Sequence, residues 1–380
     1  MLLDYCTFIG VGQAGGNVVR ELDLNDIKTF FVNTSLEDLD SLNHENSERL
    51  FHISGTKGMA KSRELAKQII ESNENDDIIA ETIYKKYANS KIYFFVFSTA
   101  GGTGGGMTNS IMKAMKEMYP DKVINAVAIL NHNDEDMIMQ QNSIQCVKEL
   151  KELYDEGIVT NIQFIDNSKK DLNKKEQINK MFANLMTYLM NFENSTKAGN
   201  LDAQELEDIF STKGILTMHE LENKDLAQEI ANIEKSSIYN RIFKNPTTQG
   251  IIFGSNTQNT PIKEMIRDSF GVAPIVHETI CEEEETIIIS AGVDFSDTIL
   301  PIVLKPLYDN YQVLKKKKKE IEDEMLKELN EINFDINSID FDSIDNGIKR
   351  ASTDTKTPVR GRKRGRKVGF KAEMEKYGNK

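Results

Sequence analysis

A glycine-rich stretch in the first third of the chain has the residue types that bind phosphate groups. Residues 101–106 are all glycine except for Thr103. A glycine backbone lacks a Cβ atom, so it can approach a ligand closely and surround an anion with N–H groups. The stretch follows the apolar residues 92–97 and precedes a segment with helical spacing of apolar residues. A strand, a glycine loop and a helix in this order predict a phosphate site.

Two more loops of small residues precede helical segments closer to the N-terminus. Residues 10–17 read Gly-Val-Gly-Gln-Ala-Gly-Gly-Asn and follow an apolar segment that predicts a first strand. Their glycine spacing is formally that of a dinucleotide-binding turn. Residues 54–60 form the third loop. Three such loops can enclose the phosphates of one nucleoside triphosphate from several sides.

The residues around these loops argue against two common nucleotide-binding classes. Gly101 and Gly106 are spaced as in a P-loop, but Met107 stands where the P-loop lysine would contact the β- and γ-phosphates. A dinucleotide-dependent enzyme has an acidic residue after its second strand to bind the ribose. Here that strand, residues 28–32, is followed by Asn33. An NAD-binding oxidoreductase is therefore the least favoured alternative.

The elements that position these loops alternate along the first half of the chain. Strand-like and helical segments follow one another up to residue 166, which predicts a doubly wound, parallel α/β sheet of Rossmann-like order. A long helix over residues 175–197 comes next, followed by a smaller α/β domain with a mixed sheet. In this second half we expect a helix over about 219–243, strands over 250–254, 274–281 and 286–293, and a long charged helix over 304–333.

These segments divide the chain into five predicted parts. They are a nucleotide-binding domain at 1–174, a central helix at 175–198, a C-terminal domain at 199–302, a C-terminal helix at 303–335 and a flexible basic tail at 336–380. The three cysteines are scattered, which indicates neither a disulfide framework nor a zinc site. Neither a signal peptide nor an apolar run of about 20 residues is evident. We therefore expect a soluble, cytoplasmic protein without a membrane partner.

The charge of the chain is unevenly distributed. The net charge is −13, yet residues 349–371 contain ten basic residues and a single acidic one. This basic segment is too hydrophilic to pack into a core. A basic tail on an acidic body favours electrostatic binding to nucleic acid or to an acidic partner. The alternative interpretation is a tail that only increases solubility.

Together these residues resemble the tubulin/FtsZ superfamily of GTPases. Residues 100–106 are similar to the tubulin signature Gly-Gly-Gly-Thr-Gly-Ser-Gly, and residues 10–17 match the first phosphate loop of the family. Asn167 and Asn179 lie at the positions of two asparagines that bind guanine. Residues 200–205 resemble the NxDxxE loop of α-tubulin, which completes hydrolysis on a neighbouring subunit.

The resemblance implies a filament-forming GTPase that binds GTP or GDP, with Mg²⁺ on the phosphates and largely coordinated by water. It implies that Asp202 and Glu205 are catalytic in trans and that Glu135 binds the ribose. From the residues alone, Asp202 could equally be a helix N-cap. The nucleotide-binding residues that we predict besides Glu135 are Gly12, Gln13, Ala14, Asn17, Asn33, Gly58, Gly101, Gly102, Thr103, Gly104, Gly105, Asn167 and Asn179.

One departure from the family pattern concerns the γ-phosphate. In FtsZ an arginine four residues beyond the ribose-binding glutamate contacts the γ-phosphate, and Met139 stands at that position here.

The C-terminal segments narrow the resemblance to one branch of the superfamily. A long terminal helix with a basic tail looks like the TubZ family, the filament-forming tubulins of plasmids and plasmid-like phages. In that family the tail binds a DNA-bound adaptor of the TubR type. This implies a role in DNA partition, with residues 349–371 binding the adaptor or DNA directly. The alternatives are an FtsZ-like cell-division filament and a scaffold that positions cargo.

Overall fold

A ten-stranded sheet runs through the part of the chain that the structure, a computed structural model, describes. The described residues are 2–42, 46–53, 58–169, 175–193, 199, 201–222, 225–255 and 261–331. The strands are β1 (Cys6–Val11), β2 (Thr29–Asn33), β3 (Leu50–His52), β4 (Ile92–Ser98), β5 (Val123–Leu130), β6 (Asn161–Asp166), β7 (Gly214–Leu221), β8 (Thr248–Phe253), β9 (Ile275–Ile280) and β10 (Thr286–Val293). Their order in the sheet is β3-β2-β1-β4-β5-β6-β7-β10-β8-β9.

Helices connect these strands and cover the sheet. The α-helices of the described ranges are α1 (Gly12–Asp23), α2 (Leu36–Ser41), α3 (Arg63–Glu71), α4 (Asn75–Tyr87), α5 (Gly102–Met118), α6 (Met137–Asp155), α7 (Lys175–Asn191), α8 (Ala203–Phe210), α9 (Leu226–Ser236), α10 (Ile262–Phe270) and α11 (Leu300–Glu331). One apolar cluster packs α1 and α7 against one face of the sheet. A second cluster packs α3 to α6 against the other face.

The first half of the sheet is parallel. Strand β1 pairs in parallel with β2 and β4, and β5 pairs in parallel with β4 and β6. Six of the seven residues of β4 are buried, as expected for a parallel strand that is covered on both faces. The predicted doubly wound α/β arrangement is confirmed. Because the strands run in one direction, the loops that follow β1, β2, β4, β5 and β6 lie along one edge of the sheet, which we call the carboxyl edge.

The second half continues the same sheet with mixed strand directions. Strand β10 is antiparallel to β7 and β8, whereas β8 and β9 are parallel. The predicted mixed sheet is therefore confirmed, but only the middle of the helix expected over residues 219–243 is present, as α9 (Leu226–Ser236). The first residues of the expected helix belong instead to strand β7. The reason is long-range pairing, since His219 and Leu221 lie opposite Ile288 and Thr286 of β10.

The chain separates into a compact unit, Met1–Lys319, and a second unit, Glu320–Lys380. The five-part division predicted above stays a prediction. The central and C-terminal helices are present as α7 and α11, while the basic tail at 336–380 lies outside the described residues. In the described part of the chain, no helix has both the length and the apolar character needed to cross a membrane.

Candidate functional site

The turn from β1 into α1 has two kinds of glycine. A Cβ atom on Gly15 would overlap the carbonyl oxygen of Val96, so this glycine lets α1 pack on the sheet. Gly12 has a φ of +72°, and an added Cβ would lie 3.0 Å from the backbone N of Gly104. Glycine is favoured in this left-handed conformation. Gly12 thus brings the first loop against the glycine stretch that follows β4.

The glycine stretch forms the beginning of α5. Gly101 is the N-cap of this helix, with an extended backbone at φ −74° and ψ 158°. A Cβ on Gly101 would meet nothing within 4 Å, so this residue borders open space. A Cβ on Gly105 would overlap the carbonyl oxygen of Thr99, and one on Gly102 would lie 2.6 Å from the Cβ of Met59. The first-turn N–H groups of α5 have no intrahelical acceptor, and the open space beside Gly101, which we call the cradle, is next to them in the chain.

A hydrogen-bonded chain joins three loops at this edge. The hydroxyl of Thr103 lies 2.7 Å from that of Thr34, which follows β2. The backbone N–H of Gly58 donates to the carbonyl of Thr34 at 3.1 Å. The structure thus brings together Gly12, Gly58 and the glycine stretch. Residues 54–57 of the third loop lie outside the described residues.

The other predicted residues of the first two loops differ in accessibility. Asn33 is only 3% exposed, and its Oδ1 accepts hydrogen bonds from the N–H groups of Thr34 and Ser35. Its amide therefore shapes the turn that presents Thr34. On α1, Gln13 and Asn17 are exposed, and Ala14 packs against the apolar cluster beneath. A nucleotide role for these four residues stays a prediction.

The loop after β5 is fastened to the glycine stretch. Glu135 is half-buried in this loop, and Asp136 caps α6 by accepting from the N–H of Met139 at 2.9 Å. The Asn142 amide of α6 donates to the carbonyl oxygens of Lys61 and Ala100, both at 3.0 Å. The loops after β3, β4 and β5 are therefore held together as one surface.

Asn167 directly follows β6 and has an unsatisfied acceptor. Its Oδ1 is buried and has no hydrogen-bond partner within the described part of the protein. A buried polar atom without a partner is costly, so a ligand donor at this position would be stabilising. Asn179 lies half-buried on α7. Contact between Asn179 and the guanine base stays a prediction.

Asp202 and Glu205 form a capping box at the start of α8. Asp202 Oδ1 accepts from the N–H of Gln204 at 2.7 Å, and Glu205 Oε2 accepts from the N–H of Asp202 at 3.1 Å. The N-cap interpretation of Asp202 is thus confirmed. Hydrogen bonding to the Glu205 side chain and to the N–H of Gln204 holds the pKa of Asp202 below its usual range. Its carboxylate is exposed and negatively charged at neutral pH.

Helix α8 lies at the edge of the sheet opposite the glycine loops. Lys91, just before β4, forms a 2.8 Å ion pair with Glu207 of α8. Asn125, near the beginning of β5, donates to the carbonyl of Phe210 at the end of α8 at 2.8 Å. A strand with the seven residues of β4 is roughly 20 Å long. The structure therefore does not bring the two carboxylates to the nucleotide-binding loops of their own chain.

Gly199, which lies shortly before α8, contacts strand β9. Gly199 forms an isolated bridge with Thr279, and its φ is +105°. A Cβ on Gly199 would overlap the carbonyl oxygen of Glu278, so a larger residue could not take this position without a shift. Asn200, part of the predicted NxDxxE loop, lies outside the described residues.

Arg63 supports the glycine stretch, although it is not among the residues predicted from the sequence. This side chain of α3 is 3% exposed, its Nε donates to the carbonyl of Gly105 at 2.7 Å, and its guanidinium binds Glu149 of α6. Although burial acts to raise it, the hydrogen bonds from Arg63 and Lys67 hold the pKa of Glu149 below its usual range. The sequence does contain a sign of this role. Helical spacing puts Arg63 on the same face of α3 as Ala66 and Ile70, so a basic residue lies on the buried face.

A comparison with protein families agrees with this site and fold. The model of the Tubulin/FtsZ family, GTPase domain, matches residues 6–170. This segment contains all three glycine loops and Asn167, and it is similar to a tubulin/FtsZ GTPase domain. The resemblance predicted from the sequence is confirmed.

Within this class the similarity extends to TubZ. The tubulin-like protein TubZ of Clostridium botulinum C phage is 34% identical over 235 residues, which cover 61% of this chain and 64% of TubZ. The chain thus spans 64% of the length of that relative. The tubulin-like protein CetZ of Pyrococcus abyssi is 26% identical over 211 residues, covering 54% of this chain and 58% of CetZ.

Solved structures agree with this fold. The crystal structure of Clostridium botulinum phage c-st TubZ superposes with a TM-score of 0.70 at 26% identity, over 81% of this chain and 98% of that one. A helical model of the TubZ-Bt two-stranded filament superposes with a TM-score of 0.74. Its identity is 18%, with 88% of this chain and 94% of that one covered, so this likeness concerns the fold alone.

Proposed function

We propose that the protein binds GTP at the carboxyl edge of its parallel strands and hydrolyses it when a second copy supplies Asp202 and Glu205. The observation that carries this proposal is the position of α8 at the opposite edge of the sheet, where it is held by Lys91 and Asn125. Head-to-tail stacking of two copies apposes these edges. Each subunit has one carboxyl edge and one opposite edge with α8. The same contact can therefore repeat from subunit to subunit and build a filament.

The chemistry at the carboxyl edge supports a guanine nucleotide. The backbone N–H groups around Gly12 and Gly101 suit the phosphates, and Glu135, half-buried in the loop after β5, would bind the ribose. The unsatisfied Oδ1 of Asn167 needs a hydrogen-bond donor. The Watson–Crick edge of guanine offers two adjacent donors, N1–H and the N2 amine, whereas adenine offers one, its N6 amine, beside the acceptor N1. Guanine thus has more ways to satisfy Oδ1, which favours GTP over ATP.

Mg²⁺ fits this site as an ion held by the phosphates and water. The loops offer hydroxyl and backbone groups, and no cluster of three or more Asp, Glu, His or Cys side chains in the described ranges could hold a metal. Such an ion retains water ligands and neutralises phosphate charge. The side chains of the neighbouring copy then act on the attacking water. Asp202, ionised at neutral pH, orients this water or accepts its proton, and Glu205 keeps Asp202 in place.

The biological role that we propose is DNA partition by the filament. The TubZ relatives support filament assembly, since one is described as a two-stranded filament. The basic segment 349–371, outside the described residues, would bind a DNA-bound adaptor of the TubR type, or DNA directly. The CetZ relatives support the alternative of an FtsZ-like or cargo-positioning filament.

Electron microscopy with nucleotide competition tests the proposal. Filaments should form with GTP and with a slowly hydrolysed GTP analogue, and neither ATP nor NAD should displace bound GTP. Displacement by NAD would favour an oxidoreductase instead. Asn167→Leu should reduce the preference for GTP over ATP by roughly tenfold, the equivalent of one lost hydrogen bond. An unchanged preference would remove Asn167 from base recognition.

Removal of residues 350–380 separates assembly from partition. The truncated protein should still form filaments but lose salt-sensitive binding to an adaptor–DNA complex. Undiminished binding across a salt titration would exclude the tail as the binding segment and favour the alternative roles.

A further inference from the structure

Lys61 lies beside the nucleotide cradle with a basic side chain that the proposed function does not use. Its Nζ forms an ion pair with Asp136 Oδ2 at 2.7 Å. Asp136 is the N-cap of α6, and its other oxygen, Oδ1, binds the N–H of Met139. The Lys61 ammonium group and the N–H of Met139 thus bind the same carboxylate. Met139 is the position at which FtsZ has its phosphate-binding arginine.

The backbone of Lys61 is fixed against the glycine stretch. Its carbonyl oxygen accepts from Asn142, which also donates to the carbonyl of Ala100. A Cβ on Gly102 would lie 3.2 Å from the carbonyl carbon of Lys61. Lys61 has a φ of +65°, a conformation that a non-glycine residue adopts only when its surroundings hold it there. The side chain therefore starts from a defined point next to the open space at Gly101.

A more highly charged anion can replace Asp136 as the partner of Lys61. The side chains of Lys61 and Asp136 are 53% and 48% exposed, and exposed ion pairs contribute little to stability. By contrast, Arg63 and Lys67 of the neighbouring helix both bind the half-buried Glu149. Lys61 is thus the cation of this region that can change partners at low cost.

We propose that Lys61 binds the terminal phosphate of the nucleotide by exchanging Asp136 for it, and so supplies the positive charge that Met139 lacks. This inference rests on the proposed GTP site and adds a residue that distinguishes triphosphate from diphosphate. GDP lacks the γ-phosphate that Lys61 would bind, so with GDP bound Lys61 pairs with Asp136 again. The released Asp136 still caps α6 through its other oxygen.

The test compares dissociation constants for GDP and for a slowly hydrolysed GTP analogue, measured below the concentration at which filaments form. Lys61→Met, which keeps an unbranched side chain but removes the charge, should weaken binding of the analogue by on the order of tenfold. Its affinity for GDP should stay within about twofold, since only the terminal phosphate is contacted. Lys61→Arg should retain the preference, because arginine also binds phosphate. Lys148→Met, an exposed lysine of α6, is the matched control.

Asp136→Asn provides a test of opposite sign. Asparagine is an equally good N-cap, so α6 is preserved while the competing charge is removed. Binding of the triphosphate analogue should therefore strengthen. This gain should disappear in the Lys61→Met background if it acts through Lys61.

The outcomes separate this inference from the function on which it rests. If the wild-type protein binds neither nucleotide, the GTP site and the role of Lys61 are both wrong. If it binds both, and Lys61→Met weakens GDP and the analogue equally or neither, the role of Lys61 alone is wrong. A gain in Asp136→Asn that persists without Lys61 would also contradict the exchange.

Discussion

Glu205 accepts a hydrogen bond from the backbone N–H of Asp202 at 3.1 Å, and Asp202 in turn caps the first turn of α8. The two carboxylates are therefore positioned by the helix they begin. Their helix is tied to the amino ends of β4 and β5 through Lys91 and Asn125. Asp202 is exposed, Glu205 is half-buried, and the pair is remote from the glycine loops of its own chain, as the proposed completion of the site by a second subunit requires.

Asp202→Asn separates the catalytic role from the structural one. Asparagine caps helices as well as aspartate, so thermal stability should be unchanged. Loss of the carboxylate should lower GTP turnover at saturating protein by roughly 100-fold or more, the usual contribution of a positioned acid–base group. GTP affinity should be preserved and filaments should persist. Rapid turnover by this variant in a phosphate-release assay would exclude Asp202 from hydrolysis.

Gly101→Asp should fold and yet lose nucleotide binding. Gly101 is an N-cap with an extended backbone, and a Cβ there meets nothing within 4 Å. Aspartate is a favourable N-cap, but it places a negative charge in the proposed phosphate cradle. Equilibrium binding and circular dichroism should show an intact fold without GTP affinity. Gly101→Ala is the control and should lose far less affinity; equal affinities of the two variants would place the phosphates elsewhere.

Gly105→Ala should lower the free energy of unfolding. Its Cβ would overlap the carbonyl oxygen of Thr99, and the Arg63 guanidinium binds the Gly105 carbonyl from the other side. Overpacking of this kind costs about 1–3 kcal/mol. Denaturant unfolding measures this loss directly, with Gly101→Ala as the comparison. If Gly105→Ala is as stable as Gly101→Ala, the close packing of α5 on the loop before it is wrong.

His219 should make the protein less stable in mild acid. Its ring is buried between Tyr239 and Phe270, and burial lowers its pKa from 6.5 to about 3. Between these values the unfolded chain binds a proton that the folded chain does not, so stability is present above pH 6.5 and falls as the pH decreases. The free energy of unfolding should drop by about 2 kcal/mol between pH 7 and pH 5 from this group alone.

The control for this effect is His219→Leu, which has no titratable group at that position. Its stability should change less over the same pH interval, whatever its absolute value. Parallel pH dependence in the two proteins would show that the buried imidazole is not the group responsible.

Much of the parallel half could be predicted from the sequence, because local pattern and burial agree there. The continuous apolar segment of β4 can only be a strand covered on both faces, and a glycine loop after it predicts the start of α5. Strand β7 could not be recognised in the same way. Ile215, Met218 and Leu221 recur at a spacing that also fits a helix, and only the pairing with β10 makes this segment a strand.

The candidate site shows a similar limit at finer scale. Gly101 and Gly105 are the same residue type in one short stretch, yet one borders open space and the other is closely packed. That difference depends on how the loop folds back at Thr99 and on Arg63, which reaches Gly105 from α3. For the same reason, the ion pair of Lys61 with Asp136 joins residues 75 positions apart and has no local signature.

A mixing experiment tests the composite site most directly. Gly101→Asp keeps Asp202 but should not hold GTP, whereas Asp202→Asn holds GTP but lacks the carboxylate. Each protein alone should show almost no GTP turnover. If the site is shared between subunits, a mixture of the two should hydrolyse GTP well above the sum of the separate rates, because Gly101→Asp subunits supply Asp202 to GTP on their neighbours. A mixture no more active than its components would contradict hydrolysis in trans.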